Sequence, residues 1–373
     1  MSARLALFTP LARELPATIP FVGPEAIERQ TGVRFRARLG ANESVFGPSP
    51  KVIEAMQAAA AESWAYGDPE VHDLRAAIAA HHQVKPENIA VGEGIDGLLG
   101  LLVRVAIEPG DTVLTSLGAY PTFNYHVVGH GGVLDFVPYR DDAEDLDALL
   151  ERARDIRPKL LYFANPDNPT GSWYDAESVE RLIRETPEET ILVLDEAYGD
   201  LAPAGTLPSI GLMRPNLLRF RTFSKAYGMA GVRVGYAVGE AEAIVHLDKV
   251  RNHFGISRMS QAGALAALED QGYRRRSIES IVSARGALCG IATAQGLRPL
   301  PSATNFVAID CGRDGAYARA VLNGVLRQGV FIRMPGTPPL DRMIRVTVGP
   351  SEDLALFAEA LAEALKQADA TDR

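Results

Sequence analysis

Cysteine is almost missing. Cys289 and Cys311 are the only two in 373 residues, and their spacing makes neither a metal-ligand pair nor a redox motif. That excludes a metal or dithiol centre built on cysteine, leaves both thiols as expected core residues, and fits a reducing cytoplasm. Positive charge is in deficit too: 38 Lys and Arg stand against 47 Asp and Glu, a formal net charge of -9. A nucleic-acid partner, gripped through a Lys/Arg excess, is therefore not expected, although local cationic pockets remain open. Long apolar runs are lacking. The most apolar helix candidate, Leu98 to Ile107, is broken by Arg104, so no membrane partner is expected, and Met1 to Pro10 is too short in apolar content for a secretory leader. No repeat or low-complexity segment is present.

What remains describes an ordinary globular chain, 47% hydrophobic and 23% charged. Its length points to two domains, because single cores stop growing beyond ~250–300 residues.

Three stretches carry chemistry. Arg221 to Gly235 reads Arg-Thr-Phe-Ser-Lys-Ala-Tyr-Gly-Met-Ala-Gly-Val-Arg-Val-Gly and sets a hydroxyl, Ser224, before Lys225, with Arg233 trailing. Lysine is a primary amine whose pKa falls when it is desolvated, which makes it the side chain able to join an aldehyde. Ser224 and Arg233 suit a phosphate, one as a hydroxyl donor and one as a planar fork. A loop lysine before a glycine-softened strand explains the same residues. Upstream, Ile191-Leu-Val-Leu-Asp195-Glu-Ala-Tyr198 has the continuous apolar run of a strand buried on both faces and ends on a carboxylate. Ligands in parallel sheets sit beyond the carboxyl ends of the strands, so Asp195 and Tyr198 are placed to meet one. A carboxylate there could keep a pyridine nitrogen protonated, and a plain helix cap is the alternative. The third stretch, Asn165-Pro-Asp-Asn168-Pro-Thr-Gly171, follows the apolar run Leu160 to Ala164 and makes a turn on any reading.

In this order the three stretches resemble the class I/II aminotransferases, which carry pyridoxal 5'-phosphate (PLP) on an aspartate aminotransferase-like fold. Among them the chain is most similar to the histidinol-phosphate aminotransferases, from Leu39-Gly-Ala-Asn42-Glu43 to Ile344-Arg345-Val-Thr-Val-Gly349. The resemblance implies an α/β fold: a large domain with a mostly parallel sheet between helices, and a smaller α+β domain. The expected division is an arm at 1–44 that packs with the small domain or a partner subunit, a PLP-binding domain at 45–257 and a small domain at 258–373.

The element pattern agrees. Helices are expected over Lys51 to Ser63 and Val71 to His82, and a strand over Ile89 to Val91. Strands and helices then alternate through Thr112 to Thr115, Val133 to Pro138, Leu146 to Ala153, Leu160 to Ala164, Ala176 to Arg184 and Ile191 to Leu194. Val232 to Val238 adds an antiparallel strand. Helical stretches Arg258 to Glu269 and Tyr273 to Gln295 follow. Asn305 to Ile309, Gly315 to Gln328, Val330 to Met334, Met343 to Val348 and a helix from Glu352 to Lys366 complete the small domain, before a loose tail at Asp369 to Arg373. Alternation along the last strand sends Arg345 away from the apolar side.

The family's site is carried over residue by residue. Lys225 is the implied catalytic amine and proton carrier. Asp195 faces the ring nitrogen, Tyr198 and Asn168 the ring hydroxyl, and Tyr120 the ring plane. Gly94, Ile95 and Asp96 open a helix as the phosphate cup, with Ile95 where the family carries alanine, and Ser224, Arg233 and Tyr66 of a partner chain complete it. Asn42, Arg345 and Arg333 are implied on the substrate side. Phe21, after Ile19-Pro20, stands where a tyrosine is expected. These residues imply amino transfer from histidinol phosphate or an aromatic amino acid to 2-oxoglutarate, in a cytoplasmic homodimer with composite sites. A decarboxylase of a phosphorylated amino acid shares nearly all of them. A PLP-binding sensor of a transcription regulator fits less well, since no basic helical module precedes Leu39. An α/β protein that has lost catalysis is disfavoured by the intact Asp195 and Lys225.

Overall fold

The computed structural model describes residues 7–16 and 21–371. Two short proline-started helices, α1 (Pro10–Glu14) and α2 (Pro24–Thr31), lead to β1 (Ala37–Arg38). Then come α3 (Pro50–Ala60), α4 (His72–His82), β2 (Ile89–Gly92), α5 (Gly94–Ala106), β3 (Thr112–Ser116), α6 (Pro121–Gly129), β4 (Val133–Val137), α7 (Leu146–Ile156), β5 (Leu160–Ala164), α8 (Ala176–Glu185) and β6 (Ile191–Asp195). β7 (Leu217–Thr222), β8 (Gly235–Gly239) and α9 (Ala241–Asp248) close this body. α10 (Arg258–Glu269), α11 (Gln271–Ala294), β9 (Arg298–Pro299), β10 (Phe306–Asp310), α12 (Gly315–Arg327), β11 (Val330–Phe331), β12 (Met343–Thr347) and α13 (Ser351–Thr371) follow. Among the described residues no helix is long and apolar enough to cross a membrane.

Seven strands form one sheet in the order β2-β8-β7-β6-β5-β3-β4, in which β8 alone runs against both its neighbours. The remaining pairings are parallel. Strands β5 and β7 are buried throughout because helices cover both faces. One face packs Leu98, Leu102, Phe123 and Val127 of α5 and α6 against Tyr162 and Phe220, while the other packs α7 and α8 against Leu161, Phe163 and Leu194. Each such large apolar side chain contributes roughly 1.5–3 kcal/mol by leaving water. A second, antiparallel sheet, β12-β10-β9, packs against α11 and α12, and β1 pairs in parallel with β11. The arm before the large sheet therefore ends on the small-sheet body.

Four sequence expectations change. β7 was not anticipated, because Leu-Leu-Arg-Phe-Arg-Thr puts two arginines in a central strand. Both are neutralised inside: Arg219 pairs with Glu196 at 2.6 Å and also donates to the carbonyls of Pro208 and Ser209, and Arg221 pairs with Asp200 at 2.8 Å. The strand expected from Val232 begins at Gly235, since Ala230–Val232 is a 3-10 turn and Arg233 has φ 59. The C-terminal helix runs on to Thr371, so Asp369 belongs to the helix and accepts from Tyr317 at 3.0 Å; 372–373 lie outside the described residues. Finally, both faces of β12 are buried: Met343 and Thr347 are as enclosed as Ile344 and Val346, and only Arg345 keeps partial exposure. Met343, on the same side of the strand as Arg345, fills an apolar cluster with Leu300, Ala308 and Leu340.

Candidate active site

Parallel strands deliver their loops to one edge. β3, β5, β6 and β7 all end there, β2 ends there as well because it runs with β7, and antiparallel β8 begins there. A cavity of about 610 Å³ lies at that edge, closed on its other side by residues flanking β11 and β12. Phe21, Asn42, Ile95, Asp96, Tyr120, Asn168, Asp195, Tyr198, Ser224, Lys225, Arg233, Arg333 and Arg345 line it. Gly94 stands behind Arg233: a Cβ there would meet the guanidinium at 2.4 Å, and its φ of +76° is a glycine conformation. Tyr66 is the exception. It is 76% exposed and packs on Phe254 with ring centroids 4.7 Å apart, away from this chain's cavity.

The reactive groups are held by backbone as much as by side chains. Lys225 Nζ donates to the Asn42 carbonyl at 2.9 Å. Desolvation first, then Arg345, pushes its pKa down to about 8, so an uncharged amine is accessible near neutral pH. Asp195 is buried at the end of β6, accepts from the Tyr162 hydroxyl at 2.6 Å and from the Ala197 N–H at 2.9 Å, and is raised to about 6 by desolvation. It caps the local turn and also faces the cavity, so the two readings of this carboxylate coexist. Burial raises the Tyr198 hydroxyl, which accepts from Asn42 Nδ2 at 2.9 Å. Tyr120 donates to Asp96 at 2.8 Å and is likewise raised by burial.

A second group is built for anions. α5 is 13 residues long and begins at Gly94 with no side-chain cap. Beside that start lie Ser224, whose Oγ accepts from Thr222 at 2.9 Å, and Arg233, whose one acidic partner among the described residues, Asp96, is 3.9 Å away. A helix N-terminus, hydroxyls and a loosely paired guanidinium together suit a phosphate. On the opposite wall Arg345 donates to Asn168 Oδ1, and its Nε is buried without a hydrogen-bond partner among the described residues. Arg333 donates to the Val22 carbonyl at 2.9 Å and lies 5.4 Å from the centre of the Phe21 ring. The Ile19-Pro20 pair before Phe21 lies outside the described residues.

Sequence reading passed over several contributors. Tyr162 was hidden in an apolar strand run, and only period-two alternation with Phe163 distinguishes it. Asn305 and Thr347 both grip Asn42, at 3.0 Å to its carbonyl and 3.0 Å to its N–H. The rim Met334 to Thr337 carried no signal at all.

An amine near pKa 8, a desolvated carboxylate and an anion cup at the carboxyl edge of a mostly parallel sheet define an α/β enzyme of the aspartate aminotransferase type. The aspartate aminotransferase of Thermus thermophilus with maleate is 27% identical, covers 98% of this chain and 99% of its own, and superposes with a TM-score of 0.78. The chain belongs to the family of class I and II aminotransferases, whose profile matches residues 37–361. Among solved structures, the histidinol-phosphate aminotransferase of Sinorhizobium meliloti in complex with pyridoxal-5'-phosphate is 53% identical over 96% of this chain and 97% of that one, with a TM-score of 0.94. Histidinol-phosphate aminotransferase 2 of Pseudomonas aeruginosa is 34% identical over 371 residues, 98% of this chain and 99% of its own.

Proposed function

We propose that this chain is a PLP-dependent aminotransferase that takes the amino group of histidinol phosphate and passes it to 2-oxoglutarate. The observation that carries the reading is the convergence of Lys225 and Asp195 on one cavity whose opposite wall presents two guanidinia, Arg333 and Arg345. Bound there, PLP supplies an aldehyde that takes up the amino group and a ring that accepts the electron pair released at the donor's α-carbon. The residues fit that group. Asp195, costly as a lone buried anion, gains a cation to pair with when it meets a protonated pyridine nitrogen. Tyr198 and Asn168 reach the ring hydroxyl, Tyr120 covers the ring, and Gly94, Ile95, Asp96, Ser224 and Arg233 hold the phosphate.

Lys225 would hold the cofactor's aldehyde and, as a free amine beside a bound donor, would carry the proton between the α-carbon and the cofactor carbon. Such transfer by a positioned group contributes typically ~10²–10⁴-fold. Asn42 orients the amine through its carbonyl, and Arg345 pairs a substrate carboxylate in a two-pronged grip. Arg333 meets the donor's phosphate. The chain divides into an arm at 1–44, a PLP-binding domain at 45–257 that carries Lys225 and a small domain at 258–373 that carries both arginines. The active unit is a cytoplasmic homodimer in which Tyr66 reaches the partner's phosphate cup. Its support is the exposed aromatic surface made by Trp64, Tyr66 and Phe254.

An aromatic amino acid is the second candidate donor, favoured by Phe21, which offers Arg333 a ring and no hydroxyl. A panel of histidinol phosphate, phenylalanine and tyrosine, read by 2-oxoglutarate consumption, tests the assignment. Faster turnover of phenylalanine overturns the histidinol phosphate reading. Release of CO2 without 2-oxoglutarate consumption overturns transamination in favour of decarboxylation.

A further inference from the structure

Asp142 lies in the turn between β4 and α7, on the large-sheet body, and faces two arginines of the small-sheet body. Arg342, just before β12, donates to its two oxygens at 2.6 and 2.9 Å, and Arg298 of β9 donates to Oδ2 at 3.1 Å. Asp310 closes the figure, accepting from Arg298 at 2.8 Å and from Arg342 at 3.1 Å. Two acids and two guanidinia thus make a charge-balanced ring. Three members belong to the small-sheet body, and Asp142 is the one member that crosses.

The crossing acid is presented by a stiff turn. Asp141 and Asp142 have φ 52 and 64, a region Asp tolerates better than most residues, and Arg140 and Ala143 exchange backbone bonds at 2.9 and 3.0 Å around them. The same seam holds Tyr139 against the cluster of Leu300, Ala308, Leu340 and Met343, and Gly118, where an added Cβ would stand 3.1 Å from Leu340. The segment gripped in this way enters the site at both ends. Met334 to Thr337 line the cavity on one side, and Arg345 follows three residues after Arg342 on the other.

We infer that Asp142 is a positioning residue for the amino-transfer reaction, setting the spacing at which Arg345 and the 334–337 rim meet a substrate. The inference rests on the carboxylate role proposed for Arg345. Without substrate, Arg345 is itself a tether across the seam through its bond to Asn168. A carboxylate that takes over the guanidinium weakens that tether and leaves the Asp142 ring to keep the register.

The test compares wild-type holoenzyme with Asp142→Asn, nearly the same in shape, Asp142→Ala and Asp142→Glu. Loss of the charge is expected to raise KM for 2-oxoglutarate roughly threefold to tenfold, with kcat within about twofold, the scale of a charged hydrogen-bond network. Asp142→Glu restores part of it. Wild-type kcat/KM falls as salt rises from about 0.05 to 0.5 M, while the Asn and Ala variants respond less. Hydrogen exchange in 334–342 accelerates in those variants ahead of the rest of the chain. Unchanged KM and unchanged rim exchange overturn the inference and leave the aminotransferase reading intact. Equal losses in kcat and melting temperature with uniform exchange overturn it as well, in favour of a purely structural ring. A wild type that turns over no donor with 2-oxoglutarate overturns the aminotransferase reading and the positioning role with it, whatever the rim exchange.

Discussion

Lys225 and Asn42 are 183 residues apart in the chain, yet the amine of the first donates to the backbone carbonyl of the second at 2.9 Å. Asn42 can present that carbonyl because it takes a left-handed φ of 55, and its side chain is fixed by Tyr198 and Thr347. The base of the proposed reaction is therefore aimed by a segment that precedes the large sheet altogether.

The first prediction follows from that amine. With its pKa down at about 8, roughly 10% of Lys225 is uncharged at pH 7, against about 0.03% for an ordinary lysine. Cofactor capture should speed up about tenfold per pH unit below 8 and level off above it. Stopped-flow absorbance measures the rate, and borohydride followed by peptide mapping locates the bond. A rate still climbing at pH 10, or a label on Lys249, contradicts the assignment.

Asp195 gives a prediction whose sign is opposite to that of a carboxylate held by an ion pair, such as Asp200. Its pKa is raised to about 6, so the folded apoprotein holds this proton more tightly than the unfolded chain does. Stability is therefore lost as pH rises from about 4 to 6, where only the folded form stays protonated. The Asp195→Asn apoprotein should melt about 3 °C above wild type at pH 7 and level with it at pH 4. Its turnover with cofactor should fall by about 10²–10³, because the carboxylate proposed to stabilise the charged ring is gone. Calorimetry at the two pH values decides the first part, and steady-state kinetics the second.

Much of this arrangement was readable in advance, for a physical reason. Runs such as Leu160 to Ala164 and Ile191 to Leu194 are apolar because helices cover both faces, and the residue after such a run falls at the ligand edge. Asp195 was found by that rule, and Asn168 through the family resemblance of its Asn-Pro-Thr-Gly turn. Tyr162, Arg219 and Asp142 were not. Tyr162 counts as apolar until its hydroxyl meets Asp195, and Arg219 counts as polar until Glu196 neutralises it. Asp142 acts across a seam between two bodies, and no local periodicity records such a contact.

The buried pair yields a stability prediction. Arg219 and Glu196 are 1% and 0% exposed, so Arg219→Met leaves a carboxylate with no cation in the sheet. That should cost about 3–5 kcal/mol, and adding Glu196→Gln should recover most of it, because replacing both charges removes the unpaired one. Denaturant unfolding of the single and double variants provides the comparison. An undiminished loss in the double variant would mean that the bonds from Arg219 to Pro208 and Ser209 dominate.

Tyr66 tests assembly. Within one chain it points away from the cavity, stacked on Phe254 and mostly exposed. If its hydroxyl serves the neighbouring subunit, Lys225→Ala and Tyr66→Ala chains should each be impaired alone and regain activity when mixed, up to about a quarter of the wild-type sites with random pairing. Light scattering should give a dimer. A fully active monomer contradicts composite sites.

The last prediction concerns the donor, through Phe21 and Arg333. The guanidinium of Arg333 lies 5.4 Å from the ring centre of Phe21 and gives one of its N–H groups to the Val22 carbonyl, so the arm and the small-sheet body meet at the cavity mouth. A phosphate arriving there would find the arginine but no hydroxyl on residue 21. Supplying one with Phe21→Tyr adds a hydrogen bond to a charged group, worth ~1.5–3 kcal/mol. KM for histidinol phosphate should then fall roughly tenfold to a hundredfold, with little change for phenylalanine. Arg333→Ala should act the other way, raising KM for histidinol phosphate far more than for phenylalanine, since only the phosphate needs the charge. If Phe21→Tyr brings no gain and Arg333→Ala weakens both donors equally, the cavity mouth does not read a phosphate, and an aromatic amino acid becomes the better assignment.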